Sequence, residues 1–319
     1  MRASPALVRQ FAPDPEEEQI TSEERADPIG DHRHGPVKGI VHRYPDRVLL
    51  MPHFACAAYC RFCFRRERVG QPGEGLTPDE LENALAYIRA RPVLWEVILS
   101  GGDPLMLGPE RLRHVLTALA AIAHLGVIRL HTRLPVADPQ RVSESMVAAL
   151  DAARDKALYV VLHCNHADEL GPETTAVCRA IVRAGVPMLA QTVLLKGVND
   201  TPESLAALFR ALVRRRIKPY YLHQGDLARG TAHFRTTLAE GQALMRALRG
   251  ELSGLCQPTY VLDIPGGHGK VPVGPCYLEG DPAGIVEVED PQGTRAGVAN
   301  GAGKTPPPEG GGGALTRRP

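Results

Sequence analysis

Charge of either sign is missing in excess: 37 Lys and Arg stand against 36 Asp and Glu, a formal net charge of +1. That balance gives no electrostatic reason to expect nucleic acid or an anionic membrane as a partner. Long apolar runs are missing too, since none reaches the roughly 18 residues a membrane-spanning helix needs. The opening MRASPALVRQFAPDPEEEQ has no apolar core of a secretory signal and soon turns acidic. A soluble, cytoplasmic protein without nucleic-acid or membrane partners is expected. Cysteines are few and odd in number, seven in 319 residues, which in a reducing compartment argues against a disulfide framework. A second C-x2-C pair, the usual mark of a closed structural zinc site, is also missing.

What is present divides by composition. Residues 1–45 are polar, acidic and Pro-rich, with DPIGDHRHGPVKG at 27–39, and read as an irregular lead-in that wraps a larger body. Residues 295–319 are Gly/Pro-rich and nearly free of large apolar side chains, so they are expected to be disordered. From 46 to 255, short apolar runs alternate with amphipathic stretches. Strands are expected at 47–51, 96–100, 127–132, 158–163, 187–195 and 218–224. Helices are expected at 78–90, 109–124, 143–155, 172–184, 202–215 and 237–249. Thr77-Pro78-Asp79-Glu80 carries a capping box with Pro at the first helical position, and Gly185 and Gly250 stand where helices should end. Residues 256–294 form a separate C-terminal segment.

Six βα units imply parallel strands with right-handed crossovers, either in a doubly wound sheet or in a barrel. In both, ligands gather at the carboxyl ends of the strands. The unusual residues fall there. Cys56, Cys60 and Cys63 follow the first strand, and Ser100-Gly101-Gly102-Asp103 follows the second. His131 and Arg133 end the third, and His163 and Asn165 the fourth. Gln191 lies in the fifth and Asp226 follows the sixth. This favours an α/β fold, a partial (β/α)6 barrel with its site at the top.

The segment FACAAYCRFCFRR places Cys56, Cys60 and Cys63 in a C-x3-C-x2-C pattern. Thiolates select zinc, Cu(I) or iron–sulfur clusters, and three of them would leave one iron of a four-iron cluster open. Cys164, Cys178, Cys256 and Cys276 are scattered and read as buried small hydrophobes. Near the C-terminus, DIPGGHGK presents Lys270 from a glycine-rich loop that lacks the G-x4-G-K-[ST] spacing of a phosphate-binding P-loop. From spacing alone, Lys270 is a solvent-facing turn residue or a lysine that forms a Schiff base.

C-x3-C-x2-C after the first strand of a βα barrel resembles the signature of the radical S-adenosylmethionine (SAM) enzymes. The wider text sharpens this. HRYPDRVLL, CRFCFRR, LSGGDPL, RLPVADPQR, GVND, KPYYLHQGDLARGTAHFRT and DIPGGHGK stand in order between about 30 and 290, and together resemble the lysine 2,3-aminomutase family. The resemblance implies a radical-SAM-type barrel with an N-terminal wrap and a C-terminal segment bearing a pyridoxal 5′-phosphate (PLP) lysine. It implies three cofactors: a [4Fe–4S] cluster on Cys56, Cys60 and Cys63, SAM, and PLP on Lys270. Arg43, Tyr44 and Arg47 fit the PLP phosphate site, and Ser100, Gly101, Gly102, Asp103, His163 and Gln191 fit positions near SAM. Arg65 stands where the family binds the substrate α-carboxylate; Asp226 and Asp263 stand where it binds the ε-ammonium. Read without the family, these aspartates cap turns and His163 is a core histidine.

The implied activity is an isomerase that converts L-lysine to β-lysine. A 5′-deoxyadenosyl radical takes the Cβ hydrogen and the amino group migrates, with a reductase supplying the electron. An aminomutase serving elongation factor P, a glutamate 2,3-aminomutase and a non-catalytic iron–sulfur or zinc protein are the alternatives. The family's larger members carry a C-terminal zinc site that has no counterpart here. No cysteine follows Cys276, and Thr201 stands after GVND where that site would take one. Structural zinc and homo-oligomer formation therefore stay open. His223 replaces a tyrosine of the larger enzymes.

Overall fold

The computed structural model describes residues 4–279 and 285–299. One sheet holds nine strands in chain order: β1 Ile40–Tyr44, β2 Arg47–Leu50, β3 Glu96–Leu99, β4 Val127–Thr132, β5 Ala157–His163, β6 Met188–Val193, β7 Ile217–His223, β8 Thr259–Ile264 and β9 Gly269–Pro272. β2 through β8 run parallel, and β1 and β9 are antiparallel at the two edges. The helices are α1 Pro5–Phe11, α2 Pro78–Arg89, α3 Pro109–Ala120, α4 Leu134–Ala137, α5 Glu144–Ala149, α6 Pro172–Arg183, α7 Pro202–Arg214 and α8 Leu238–Glu251. With α2, α3, α5, α6, α7 and α8 as crossovers, the expected six βα units stand. The partial barrel is confirmed.

Local chemistry explains the helix starts. Thr77 and Thr237 each accept from the backbone three residues on, while Glu80 and Glu240 reach back to the cap, so two otherwise orphaned N–H groups are satisfied at each start. Thr201 caps α7 by accepting from Ser204 N–H at 3.2 Å. The helices bury leucine faces, among them Leu112, Leu116 and Leu119 of α3 and Leu205, Leu208, Phe209 and Leu212 of α7. These pack on outward strand residues such as Val97, Leu99, Ile128, Leu130, Val160 and Leu162. Among the described residues no helix is long and apolar enough to cross a membrane.

Four sequence expectations need correction. The lead-in through 45 is not irregular throughout: it contains α1 and ends in β1, which pairs with β2. The segment from 256 is not separate from the barrel, because β8 pairs in parallel with β7 and turns back as β9. Glycines and a proline in DIPGGHGK mask this hairpin, since they read as loop before any pairing is known. The tail expected to be disordered from 295 begins with a strand: β10 Leu278–Glu279, β11 Ile285–Glu289 and β12 Arg295–Ala299 form a small antiparallel sheet. Backbone pairing with β11 orders that stretch despite its poor apolar content, and residues 300–319 lie outside the described ones. Of the scattered cysteines, Cys164, Cys178 and Cys256 are buried but Cys276 is exposed.

The two edges of the sheet meet without a ladder. Lys270 N–H on β9 donates to Tyr44 Oη on β1 at 2.7 Å. Residues 27–34 cross the same seam, with Gly266 N–H donating to Pro28 carbonyl at 3.0 Å and Arg33 Nη1 donating to Gly266 carbonyl at 2.6 Å.

Candidate active site

Strand residues alternate in direction, so the residues between the core-facing ones point inward. There they enclose a cavity of about 510 Å³ whose lining includes Ser100, Arg129, His131, His163, Gln191, Tyr221 and His223. The cysteine loop, Arg43, Tyr44, Arg47, Arg65, Gly101, Gly102, Asp103, Asp226, Asp263 and Lys270 line the same cavity. The residues assigned to the site by the family resemblance all line this cavity, whereas Asn165 does not: its Nδ2 donates to Gln10 Oε1 at 3.0 Å and its Oδ1 accepts from Val193 N–H at 2.9 Å.

The cysteine loop is positioned from two sides. From below, Gly102 N–H donates to His53 carbonyl at 2.8 Å and Asp103 N–H to Ala55 carbonyl at 2.9 Å. Gly101 has φ +94°, which favours glycine, and a Cβ on Gly102 would come within 2.4 Å of Ala55 carbonyl oxygen. The SGGD motif therefore cradles the loop by close backbone approach. From above, Glu17 of the N-terminal segment accepts from Arg61 Nε at 2.7 Å and Arg66 Nη2 at 2.6 Å. This sorts the adjacent arginines: Arg66 faces the N-terminal clasp, while Arg65 faces the cavity.

Cys56, Cys60 and Cys63 line one hollow. Three thiolate donors on one loop fit a multi-iron cluster with one thiolate per iron. Burial, then the charges of Asp103 and the other two cysteines, pushes the Cys56 thiol up to about 12. Burial and then Cys60 push Cys63 up to about 11. Two of the soft donors, Cys56 and Cys63, thus resist ionising, which matches a site whose positive charge comes from bound iron. Arg133 donates to Cys60 Sγ at 3.1 Å, and its guanidinium is itself held by Gln10 Oε1 at 2.6 Å and Glu169 Oε2 at 2.8 Å.

Asp103 has its carboxylate engaged by the protein. It accepts from Thr132 Oγ1 at 2.7 Å, Arg133 N–H at 2.7 Å and Leu134 N–H at 2.8 Å, fixing the turn after β4. His131 and His163 are different. Each has a buried Nε2 without a hydrogen-bond partner among the described residues, and both line the cavity. Burial, then nearby guanidinium charge, holds both well below their ordinary values, so they are neutral at pH 7. Such orphaned atoms fit a polar ligand in the cavity. Gln191 lies in register beside His163 on the next strand.

At the other end, Lys270 Nζ contacts Asp263 Oδ2 and lies 3.2 Å from His223 Nδ1. Burial raises Asp263, but hydrogen bonding and charge from His223 and Lys270 outweigh it and leave the carboxyl well below its ordinary value. Asp226 on the same wall goes the other way: burial, then the negative charge of Asp263, pushes it up to about 7. The two carboxyls are thus shifted in opposite directions, as like charges sharing a site tend to be. Arg47 lies over the Tyr44 ring with its guanidinium carbon 3.9 Å from the centroid. Arg43 and Arg65 both reach Asp31, which sequence reasoning did not single out. Its only sequence signal was its place in the polar DPIGDHRHGP stretch.

Compared with known proteins, residues 51–209 match the model of the radical SAM superfamily and residues 245–285 that of lysine-2,3-aminomutase. The L-lysine 2,3-aminomutase of Clostridium subterminale is 41% identical over 79% of this chain and 60% of its own length. The chain therefore spans well under two thirds of that relative. A putative L-lysine 2,3-aminomutase of Treponema pallidum is 40% identical, over 86% of this chain and 77% of its own. The glutamate 2,3-aminomutase of Clostridioides difficile is 36% identical over 80% of this chain and 60% of its own. A solved structure, native anSMEcpe with bound AdoMet, shares the fold alone: TM-score 0.50 and 12% identity over 65% of this chain and 60% of that one. The superfamily implies a [4Fe–4S] cluster and SAM, and the cysteine triad above is fit to hold the cluster. With sequence, fold and cavity in agreement, the chain belongs to the lysine 2,3-aminomutase family of radical SAM enzymes.

Proposed function

We propose that this chain is a PLP-dependent isomerase that moves the α-amino group of L-lysine to Cβ, giving β-lysine. The observation that carries the reading is the shared cavity: the cysteine triad, Lys270, Arg65 and two aspartates all line it. The cluster with SAM supplies a carbon-centred radical that removes hydrogen, and PLP supplies a carbonyl that takes up a primary amine and delocalises a neighbouring unpaired electron.

The chain's own residues bind and measure the substrate. Arg65 meets the α-carboxylate; Asp226 and Asp263 meet the ε-ammonium, so the cavity selects for both length and charge. Lys270 holds PLP, with Tyr44 Oη fixing its backbone N–H, and Arg43 and Arg47 face the phosphate as guanidinium donors. Cys56, Cys60 and Cys63 hold the cluster; Ser100, Gly101, Gly102, His163 and Gln191 lie along the SAM side. Neutral His131 and His163 bring hydrogen-bonding capacity without adding charge. The N-terminal segment covers the cysteine loop and helps exclude water from reactive species. The cluster needs one electron from an external reductant.

A glutamate substrate would place its side-chain carboxylate against Asp226 and Asp263, which repels it. Anaerobic reconstitution of the full chain with iron, sulfide, PLP, reductant and SAM, followed by chromatography of the amino acids, tests the reading. β-Lysine should accumulate without matching consumption of SAM. Rearrangement of glutamate with lysine untouched would overturn the assignment of the two aspartates.

A further inference from the structure

Asp31 stands where the N-terminal segment crosses the seam between β1 and β9. Its side chain is 4% exposed, and its carboxylate is shared between two cations. Oδ2 accepts from Arg65 Nε at 2.8 Å, and Oδ1 accepts from Arg43 Nη2 at 3.2 Å. The same segment gives Arg43 a second acceptor, Ile29 carbonyl at 2.6 Å.

The position of Asp31 is itself imposed. Its N–H and that of His32 donate to the Asp27 carboxylate at 2.9 Å each. Gly30 has φ +68°, and a Cβ there would come within 2.9 Å of the Gly266–Gly267 backbone. Arg33 and His34 bond the carbonyls of Gly266 and Gly267 at 2.6 and 2.9 Å. Those glycines turn β8, which carries Asp263, into β9, which carries Lys270.

A guanidinium gripped at Nε by a fixed carboxylate has its terminal nitrogens aimed. Arg65 Nη1 accordingly reaches Ser100 Oγ at 3.3 Å on the cavity wall. The geometry points to Asp31 as a positioning residue that fixes how far the phosphate-facing Arg43 stands from the carboxylate-facing Arg65. Anion recognition at both ends of the site is then a property of the N-terminal segment as well as of the arginines that touch the ligands. This rests on the proposed roles of Arg43 and Arg65 toward PLP and lysine.

The test compares wild type with Asp31→Asn in the full chain, using two discrimination ratios. PLP is titrated against pyridoxal, which lacks the phosphate, by absorbance. L-Lysine is compared with 1,5-diaminopentane, which keeps both amines but lacks the carboxylate, as KM against inhibition constant. Losing the charge-assisted bonds should lower the preference for PLP over pyridoxal and raise the lysine KM by about tenfold each. The inhibition constant of 1,5-diaminopentane should change less than twofold. A lowered melting temperature with both ratios unchanged, or equal weakening of lysine and diaminopentane, overturns the positioning role. Where Asp31→Asn does not fold, Asp27→Ala is read the same way: it frees the Asp31 backbone and should give the same pattern, smaller. A wild type that neither binds PLP nor rearranges lysine overturns the proposed function itself. Unchanged ratios beside an active wild type overturn only the inference about Asp31.

Discussion

On β4, Ile128 and Leu130 are fully buried against leucines of the surrounding helices, while Arg129 and His131, one residue away in each case, line the cavity. The neighbouring strands repeat the contrast: Leu162 packs outward and His163 faces inward on β5, and Leu222 and His223 do so on β7. The outer face is a close-packed apolar layer in which volume decides stability. The inner face holds histidines whose buried Nε2 has no partner among the described residues, crowded thiols and aspartates shifted in opposite directions, each costly to bury without a ligand. One sheet can do both because the strand period of two separates the faces completely, so damage to one should leave the other readable.

The largest expected effect lies on the inner face. Lys270→Ala should abolish retention of PLP and bring lysine turnover to background, as followed by absorbance after desalting and by product chromatography. Cys60→Ala comes next: reconstituted iron and sulfide should fall below four per chain, while circular dichroism keeps the wild-type spectrum. On the outer face, Phe209→Ala should cost about 3–5 kcal/mol in chemical denaturation and leave the PLP dissociation constant within twofold. A large loss of PLP affinity there would show that the two faces are coupled after all.

A smaller effect comes from Asp226. Its carboxyl is raised from 3.8 to about 7 in the folded chain, so the unfolded chain binds fewer protons across that interval. Stability of the ligand-free chain should fall as pH rises through it and level off above. Binding of the substrate ammonium requires the ionised form, so the lysine KM should fall over the upper part of the same range. Asp226→Asn should flatten both profiles, and a wild-type pH slope that survives in this variant would refute the assignment. The smallest effect belongs to the solvent side of the helices. Arg89 pairs with Glu82 at 2.7 Å in the open, and Arg89→Ala should leave the melting temperature within experimental error.

Much of this was legible in the chain. The six βα units follow from alternating apolar periods, and the cysteine spacing and the glycine-flanked Lys270 are local patterns that survive without a structure. The edge strands were not legible. β1 is short and ends in polar HRY, and the β8–β9 turn is written in glycines that look like loop. Asp31, Gln10 and Glu169 were equally silent, because a carboxylate or amide in a polar stretch has no signature until the chain brings its cation alongside.

By itself, then, the sequence determined the alternating scaffold and the chemical inventory, since period, capping and thiol spacing all act within a few residues along the chain. Only the tertiary structure decided that Glu17 holds Arg66 away from the cavity, which of two aspartates is shifted up and which down, and that Asp31 joins Arg43 to Arg65. These outcomes depend on burial and charge among residues far apart in sequence, and such interactions exist only once the barrel has closed.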